Sequence, residues 1–472
     1  MKNNRGFTLV ELIAVVAILL VLGFMVTPKV LDIIDENRIK AYQEIEKRLE
    51  EAAAKYLVEN YVSSNTEIVT ITKEQLIEGK YIEEIYDLKD NSICDGYVYA
   101  YNLNSIAEFD IILTCSSYQS KGIIATSYIN GLYKSESALH NGLTNPKIIY
   151  EDKEYDTGIR YSGSLAEVKN KVYYNCEDKD SNGVGYGSKE YDYVNSCETW
   201  RIIGVFDVSK TIGGTTEKRL KIINTNSTFR ASWDSSDSSI NGGSGINQWG
   251  SSTYKDANDV EQFYAGADLM QLLNGYYIEK NNDDILSASK KECKYNTAIG
   301  QSGFSKTCDT TDTPLSSFKM KPLTSTALTM IDNAVWYTYG TQIEVASKAY
   351  LEERGITKRY TGCKDIEETT TTKCTGDNVT RNNKWTGLVG LISLSDILYT
   401  NGWLNPDSIY SLWSITPRNG LYNSMVWLCN SSGGGSFGDA YNGARIWPTT
   451  YLKSNIRIIG GNGDTKPYIL GI

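Results

Sequence analysis

The chain of 472 residues has one histidine, His140, and none of its nine cysteines stands in a CxxC pair. Zinc centres draw on clustered Cys and His, so this composition leaves no ligand set for one. A Ser-His-Asp triad would have to use His140, which lies in a stretch without periodic pattern. HExxH and P-loop signatures are missing, and no GxSxG has a supporting strand-turn-helix context. No long Lys/Arg block follows the first few residues, and the net charge is −10 at pH 7. Phosphate binding needs a concentrated basic face, so no broad nucleic-acid interface is expected. Among 57 acidic residues, a glycosidase-type carboxylate pair cannot be picked out by count. Such residues read as a solvated face, and no catalytic residue is expected. Proline is scarce at 8, while 34 Tyr and 40 Gly are present. That balance favours strands joined by long loops.

Charge is also missing from one short stretch. Phe7 to Val26 is apolar over 20 residues except for Glu11. As a helix it would be about 30 Å long, enough to cross a bilayer core. A carboxylate there costs roughly 2.5–3.5 kcal/mol, so its presence suggests a use. Lys2 and Arg5 precede it, and Gly6-Phe7 forms the junction. A secretory signal would end in a small-residue cleavage site, whereas this run continues through Thr27 and Pro28 into a charged helix.

Gly6, Phe7, Thr8, Leu9, Glu11 and Pro28 together resemble the signal of the type IV prepilin family. The resemblance implies cleavage after Gly6 by a prepilin peptidase and methylation of the new terminus on Phe7. It also implies a membrane-held precursor and later assembly with other pilin subunits at the cell surface. In that family the residue at Glu11 meets the terminal amine of a neighbour, and a buried carboxylate does need a cationic partner. The family also includes pseudopilins of type II secretion and DNA-uptake machines, which remain the alternative to a pilus subunit.

The spacing predicts an α+β fold. Leu31, Ile34, Tyr42, Ile45, Leu49, Ala52 and Tyr56 recur mostly every three or four residues, so the helix should extend to residue 62 with one apolar stripe. Its partner should be a short helix within Thr72–Ile85, followed by strands at Gly96–Leu103 and Phe109–Cys115. The expected domains are a leader at 1–6, a helix at 7–62 with its transmembrane half at 7–26, and a small globular domain at 63–128. A linker at 129–164 and a β-rich distal domain at 165–472, with an insertion over 290–381, should follow. The first part, a long helix on a small antiparallel sheet, resembles a pilin module.

In the distal part, Trp200–Phe206 and Leu220–Ile223 should form a hairpin, with helices at 267–277 and 326–337 and a strand at Val389–Ser395. Short motifs there, including Trp413-Ser414 before a long loop, resemble C-type-lectin-like surface domains. The cysteines fall into neighbouring couples, Cys94/Cys115, Cys176/Cys197, Cys293/Cys308 and Cys363/Cys374, which suit disulfides in an exported protein. Cys429 is left over and reads as a buried small side chain.

Two stretches could bind something. Asp178, Asp180, Asn182 and Gly183 form D-x-D-x-N-G, the first half of a calcium loop, but position 12 is Lys189. The alternative is a polar turn. Asn419–Gly443 places Tyr422, Trp427, Phe437 and Tyr441 among Asn, Ser and Gly, a composition suited to recognising a host surface, glycan or protein. The alternative there is that the aromatics pack inward.

Overall fold

The computed structural model describes residues 34, 37–60, 68–101, 107–118, 120, 122–134, 142–166, 168–188, 190–227, 229–234, 246–255, 260–264, 266–275, 277–278, 293–295, 306–308, 321–341, 344–357, 371–373, 380–404, 411–418, 424–430, 434–440 and 443–471. The chain divides into two units, Met1–Ser120 and Lys121–Ile472. Together they make a mixed helix-and-sheet protein whose second unit is large and β-rich.

In the first unit, the helix over 37–60 buries Tyr42, Ile45, Leu49, Ala52, Ala53 and Leu57. These positions follow the three-four spacing of one helical face. Ile34, which belongs to the same sequence stripe, is instead exposed. The buried face packs on Ile71, Leu76, Ile85, Val98, Ala100 and Leu113. A three-stranded antiparallel sheet supplies most of them, in the order Ile68–Thr72, Asp95–Tyr101, Glu108–Thr114. Burying a Leu or Ile side chain contributes roughly 1.5–3 kcal/mol, so this one face is the main reason the helix holds. Thr72 and Gln75 form a capping box that starts the helix Lys73–Glu78. The disulfide Cys94–Cys115 ties the start of the second strand to the end of the third.

The second unit is organised around a seven-stranded sheet. Its main path runs Val389–Gly390, Thr449–Tyr451, Thr216–Ile223, Glu198–Ser209, Ile159–Tyr161, Leu143–Thr144, and Lys171–Tyr174 also pairs with Glu198–Ser209. The expected hairpin is its centre, with Val205 opposite Leu220 and Ile202 opposite Ile222. A Cβ at Gly204 would lie 2.2 Å from the Ile159 carbonyl oxygen, so glycine permits the close approach of those two strands. A five-stranded sheet follows the order Arg230–Ser232, Gly443–Arg445, Leu412–Pro417, Met425–Cys429, Gly435–Asp439. Trp200, Trp233, Trp249, Trp403 and Trp413 are fully buried in the core of this unit.

Several expectations need correction. The stretch 129–164 is not a linker. Ala125–Lys134 is a helix whose Ile129 is buried, and Leu143, Ile159 and Tyr161 enter the main core. Residues 121–128 also belong to the second unit, where Ile123–Ile124 pairs with the strand Arg457–Gly460. The proposed insertion is partly core as well, since Leu323, Ala327, Met330, Ala334 and Trp336 are buried with the rest. The expected helix at 326–337 is a helix only at Ser325–Thr329, and Ala334–Tyr337 is a strand. The expected strand at Val389–Ser395 stops at Gly390, because Ser393 caps a helix over Leu394–Tyr399.

Candidate functional site

Gly6, Phe7 and Glu11, with the apolar segment 7–26, lie outside the described residues. Among the described residues, no helix is long and apolar enough to cross a membrane. The helix over 37–60 does carry apolar side chains away from its buried face, with Val58 86% and Ile39 49% exposed. A groove of about 1020 Å³ runs between this helix and residues 77–88. Its floor is Ile45, Leu49, Ala52 and Ile82, and its rim is Arg48, Glu51, Lys55 and Glu83. The turn below the groove is tightly held. The Leu88 N–H donates to the Tyr42 hydroxyl at 2.8 Å, and the Asp87 carboxylate accepts from Lys89 N and from Ser117 N and Oγ. Burial alone would raise the pKa of Asp87, but those donors outweigh it and hold the carboxyl well below the usual range.

The described residues of the stretch expected as a recognition loop are mostly strand. Met425–Cys429 and Gly435–Asp439 pair antiparallel, with Trp427 opposite Phe437. Tyr422 and Tyr441 lie outside the described residues. Trp427 is not a surface anchor: it is 4% exposed, it packs with Ala349 and Leu394, and its Nε1 donates to the Thr341 carbonyl at 2.8 Å. A buried indole needs such a partner. Phe437 is 45% exposed, and the Arg418 guanidinium stacks 3.7 Å from its ring centre. Of the four aromatics, it is the one that the structure leaves accessible among the described residues.

The calcium-loop residues do not converge on a cation. Asp178 turns its carboxylate to the start of the helix Ser325–Thr329, accepting from Thr326 N at 3.0 Å and Thr326 Oγ1 at 2.8 Å. Asp180 accepts from the N–H groups of Asn182 and Val184 at 2.9 Å and of Asp192 at 3.1 Å. Backbone N–H groups therefore take the lone pairs that a cation would need. Gly183, at φ +81°, closes the turn. Asp178, Asp180 and Asn182 thus organise a polar turn beside the disulfide Cys176–Cys197. The backbones of Cys293 and Cys308 face each other in a two-stranded ladder, and Cys363 and Cys374 lie outside the described residues. Cys429 is a free, buried thiol whose pKa burial pushes up to about 12, which disfavours the thiolate.

The sequence reading missed a charged cluster inside the second unit. Lys221 Nζ lies 2.6 Å from Asp396 Oδ2, and Arg160 Nη1 lies 2.9 Å from Asp396 Oδ1. Burial opposes the charge on Asp396, but Lys221 and Arg160 outweigh it and hold the carboxyl well below its usual range. Nearby, Glu353 accepts from Ser395 N and Thr416 Oγ1, and burial raises its pKa. These residues come from segments more than 150 positions apart in several cases, and no local spacing announces them.

No curated protein and no solved structure matches the chain. Residues 1–27 match the family model of the prokaryotic N-terminal methylation motif. That motif supports peptidase processing, a membrane-anchored precursor and assembly with other pilin subunits. The chain carries the N-terminal signature of type IV pilin-like and pseudopilin proteins.

Proposed function

We propose that the protein is a minor pilin-like subunit with a structural role, which displays its second unit on a type IV pilus-like filament. The observation that carries this reading is the methylation motif at residues 1–27 on a chain whose second unit runs from Lys121 to Ile472. A unit of that size is hard to repeat along a tightly packed shaft, so the filament tip is its natural place. Its role there is adhesion or recognition of a surface, glycan or protein, with the exposed Phe437 ring, backed by the Arg418 guanidinium, as the contact on the hairpin. Stacked aromatic and guanidinium groups are common anchors of protein contacts. Immunogold labelling with an antibody to the second unit tests the reading. Gold at filament ends supports it, and even decoration of the shaft overturns it.

A further inference from the structure

Lys221 and Asp396 meet in a chamber that is closed to water. The strand Thr216–Ile223 brings the amine, and the helix Leu394–Tyr399 brings the carboxylate. Both residues are 3% exposed, and Nζ lies 2.6 Å from Oδ2. Rings of Phe206, Trp336 and Tyr451 surround Nζ with centroids at 5.9, 5.1 and 5.2 Å. Arg160 grips the other oxygen, Oδ1, at 2.9 Å. Other close lysine–carboxylate pairs among the described residues differ in one respect. Lys73–Glu84, Lys147–Asp156, Lys210–Asp332 and Lys321–Glu177 all have a carboxylate open to water.

We propose that Lys221 and Asp396 condense to an intramolecular isopeptide bond that ties the central hairpin to the helix Leu394–Tyr399. The step balances within the pair. One proton passes from the ammonium to Oδ2 along the existing contact, which frees the nitrogen lone pair. Nζ then attacks Cγ, and negative charge collects on Oδ1 beside the Arg160 guanidinium, which is placed to stabilise it. A second proton moves from Nζ to Oδ2, the Cγ–Oδ2 bond breaks, and one water leaves. No oxidant, reductant or activating group is required.

Three physical effects favour the step. The reacting atoms are held in place, so the reaction is effectively unimolecular. Of the three buried charges, two become one neutral amide, and the Arg160 guanidinium keeps the amide oxygen in place of the carboxylate. The aromatic wall denies the amide the water that would reverse it. Arg160 keeps an acceptor in the amide oxygen and keeps its stacking on Phe206 and Tyr399. The inference is independent of which filament the protein joins, although a covalent tie suits a subunit under tension.

Tryptic mapping of the full-length protein, reduced and denatured, is the test. Cleavage at Arg219, Arg230, Lys384 and Arg418 would release Leu220–Arg230 and Trp385–Arg418. The expected result is one branched species of these two peptides, lighter than their sum by one water and uncut at Lys221. In Lys221→Arg the branch should vanish and Trp385–Arg418 should appear alone. Full recovery of Ile222–Arg230 and linear Trp385–Arg418 from the folded wild-type protein would overturn the proposal. That wild-type measurement decides the matter even if the variant does not fold.

Discussion

The two units solve the problem of a stable core in opposite ways. The first relies on one helical face against a small sheet, closed by one disulfide, and its buried carboxylate Asp87 is satisfied by nearby N–H and O–H groups. The second joins many short strands from distant parts of the chain, and it places charges at their junction. Arg160, Lys221 and Asp396 link three segments that share no local pattern. The difference teaches that local periodicity suffices for a small helix-on-sheet unit. A large sheet with short strands needs long-range polar contacts to fix which segments meet, at the cost of burying ions.

The largest effect should come from breaking the junction of the second unit. Asp396→Ala leaves Lys221 and Arg160 buried without their shared carboxylate. Removing one partner of such a cluster costs about 3–5 kcal/mol. Peptide-level hydrogen exchange on the full-length protein should show lost protection across Thr216–Ile223 and Leu394–Tyr399, with the helix over 37–60 unchanged. Equal loss in both units would mean that they do not hold themselves together separately.

The next effect belongs to the first unit. Replacing both Cys94 and Cys115 with Ser opens a link across 21 positions of sequence. The chain-entropy model assigns about 3 kcal/mol to such a link. Urea melts followed by exchange in Asp95–Tyr101 and Glu108–Thr114 would measure it. An unchanged midpoint would show that the helix face alone holds this unit.

This contrast also explains what the sequence could reveal. Tyr42, Ile45, Leu49 and Ala52 announce a buried face because their spacing is local and regular. The Trp200–Phe206 and Leu220–Ile223 pair is legible because an apolar run, Ile202 to Phe206, and a shorter Leu220/Ile222/Ile223 cluster flank one Gly-containing turn. Strands of two or three residues, such as Leu143–Thr144 and Ile159–Tyr161, are too short to show alternation, so their region resembled a linker. Trp427 fits both readings of its stretch, recognition and inward packing, because a Ser/Gly-rich context looks like a loop; the contact that decides for packing comes from Thr341, far along the chain. Asp178 fits both readings of its stretch, calcium loop and polar turn, because the two use the same residue types. Its partner Thr326 lies in the helix Ser325–Thr329, far along the chain. The processing signal at residues 1–27 needed no fold at all, because it is a contiguous motif.

A smaller effect should depend on pH. The folded state holds the carboxyl of Asp87 below its unfolded range, through donors from Lys89 and Ser117 that outweigh burial. The sign follows from proton linkage. The depressed group adds stability above its unfolded pKa of about 4, and that stability is lost as pH falls toward the folded value. Asp87→Asn, which keeps one acceptor oxygen, should cost about 1–2 kcal/mol near neutrality and progressively less toward pH 3. Thermal melts across that range would measure the difference. A penalty that stays constant with pH would show that the charge of Asp87 contributes nothing.

The smallest stability effect should be at Phe437, and it separates packing from recognition within one pair of facing residues. Trp427 and Phe437 sit opposite each other on adjacent strands, yet one is buried and the other half open. Phe437→Ala removes an exposed ring and its stacking on Arg418, which at such sites is worth about 0.5–1 kcal/mol. Trp427→Ala removes a core indole and should cost about 3–5 kcal/mol. If the hairpin recognises a partner, Phe437→Ala should abolish cell or glycan binding while the melting temperature barely moves. Trp427→Ala should lower binding only in step with the unfolded fraction. If Phe437→Ala binds as well as the wild type, recognition does not run through this hairpin. The ring would then be no more than a cover for the edge of Trp427, 6.0 Å below it.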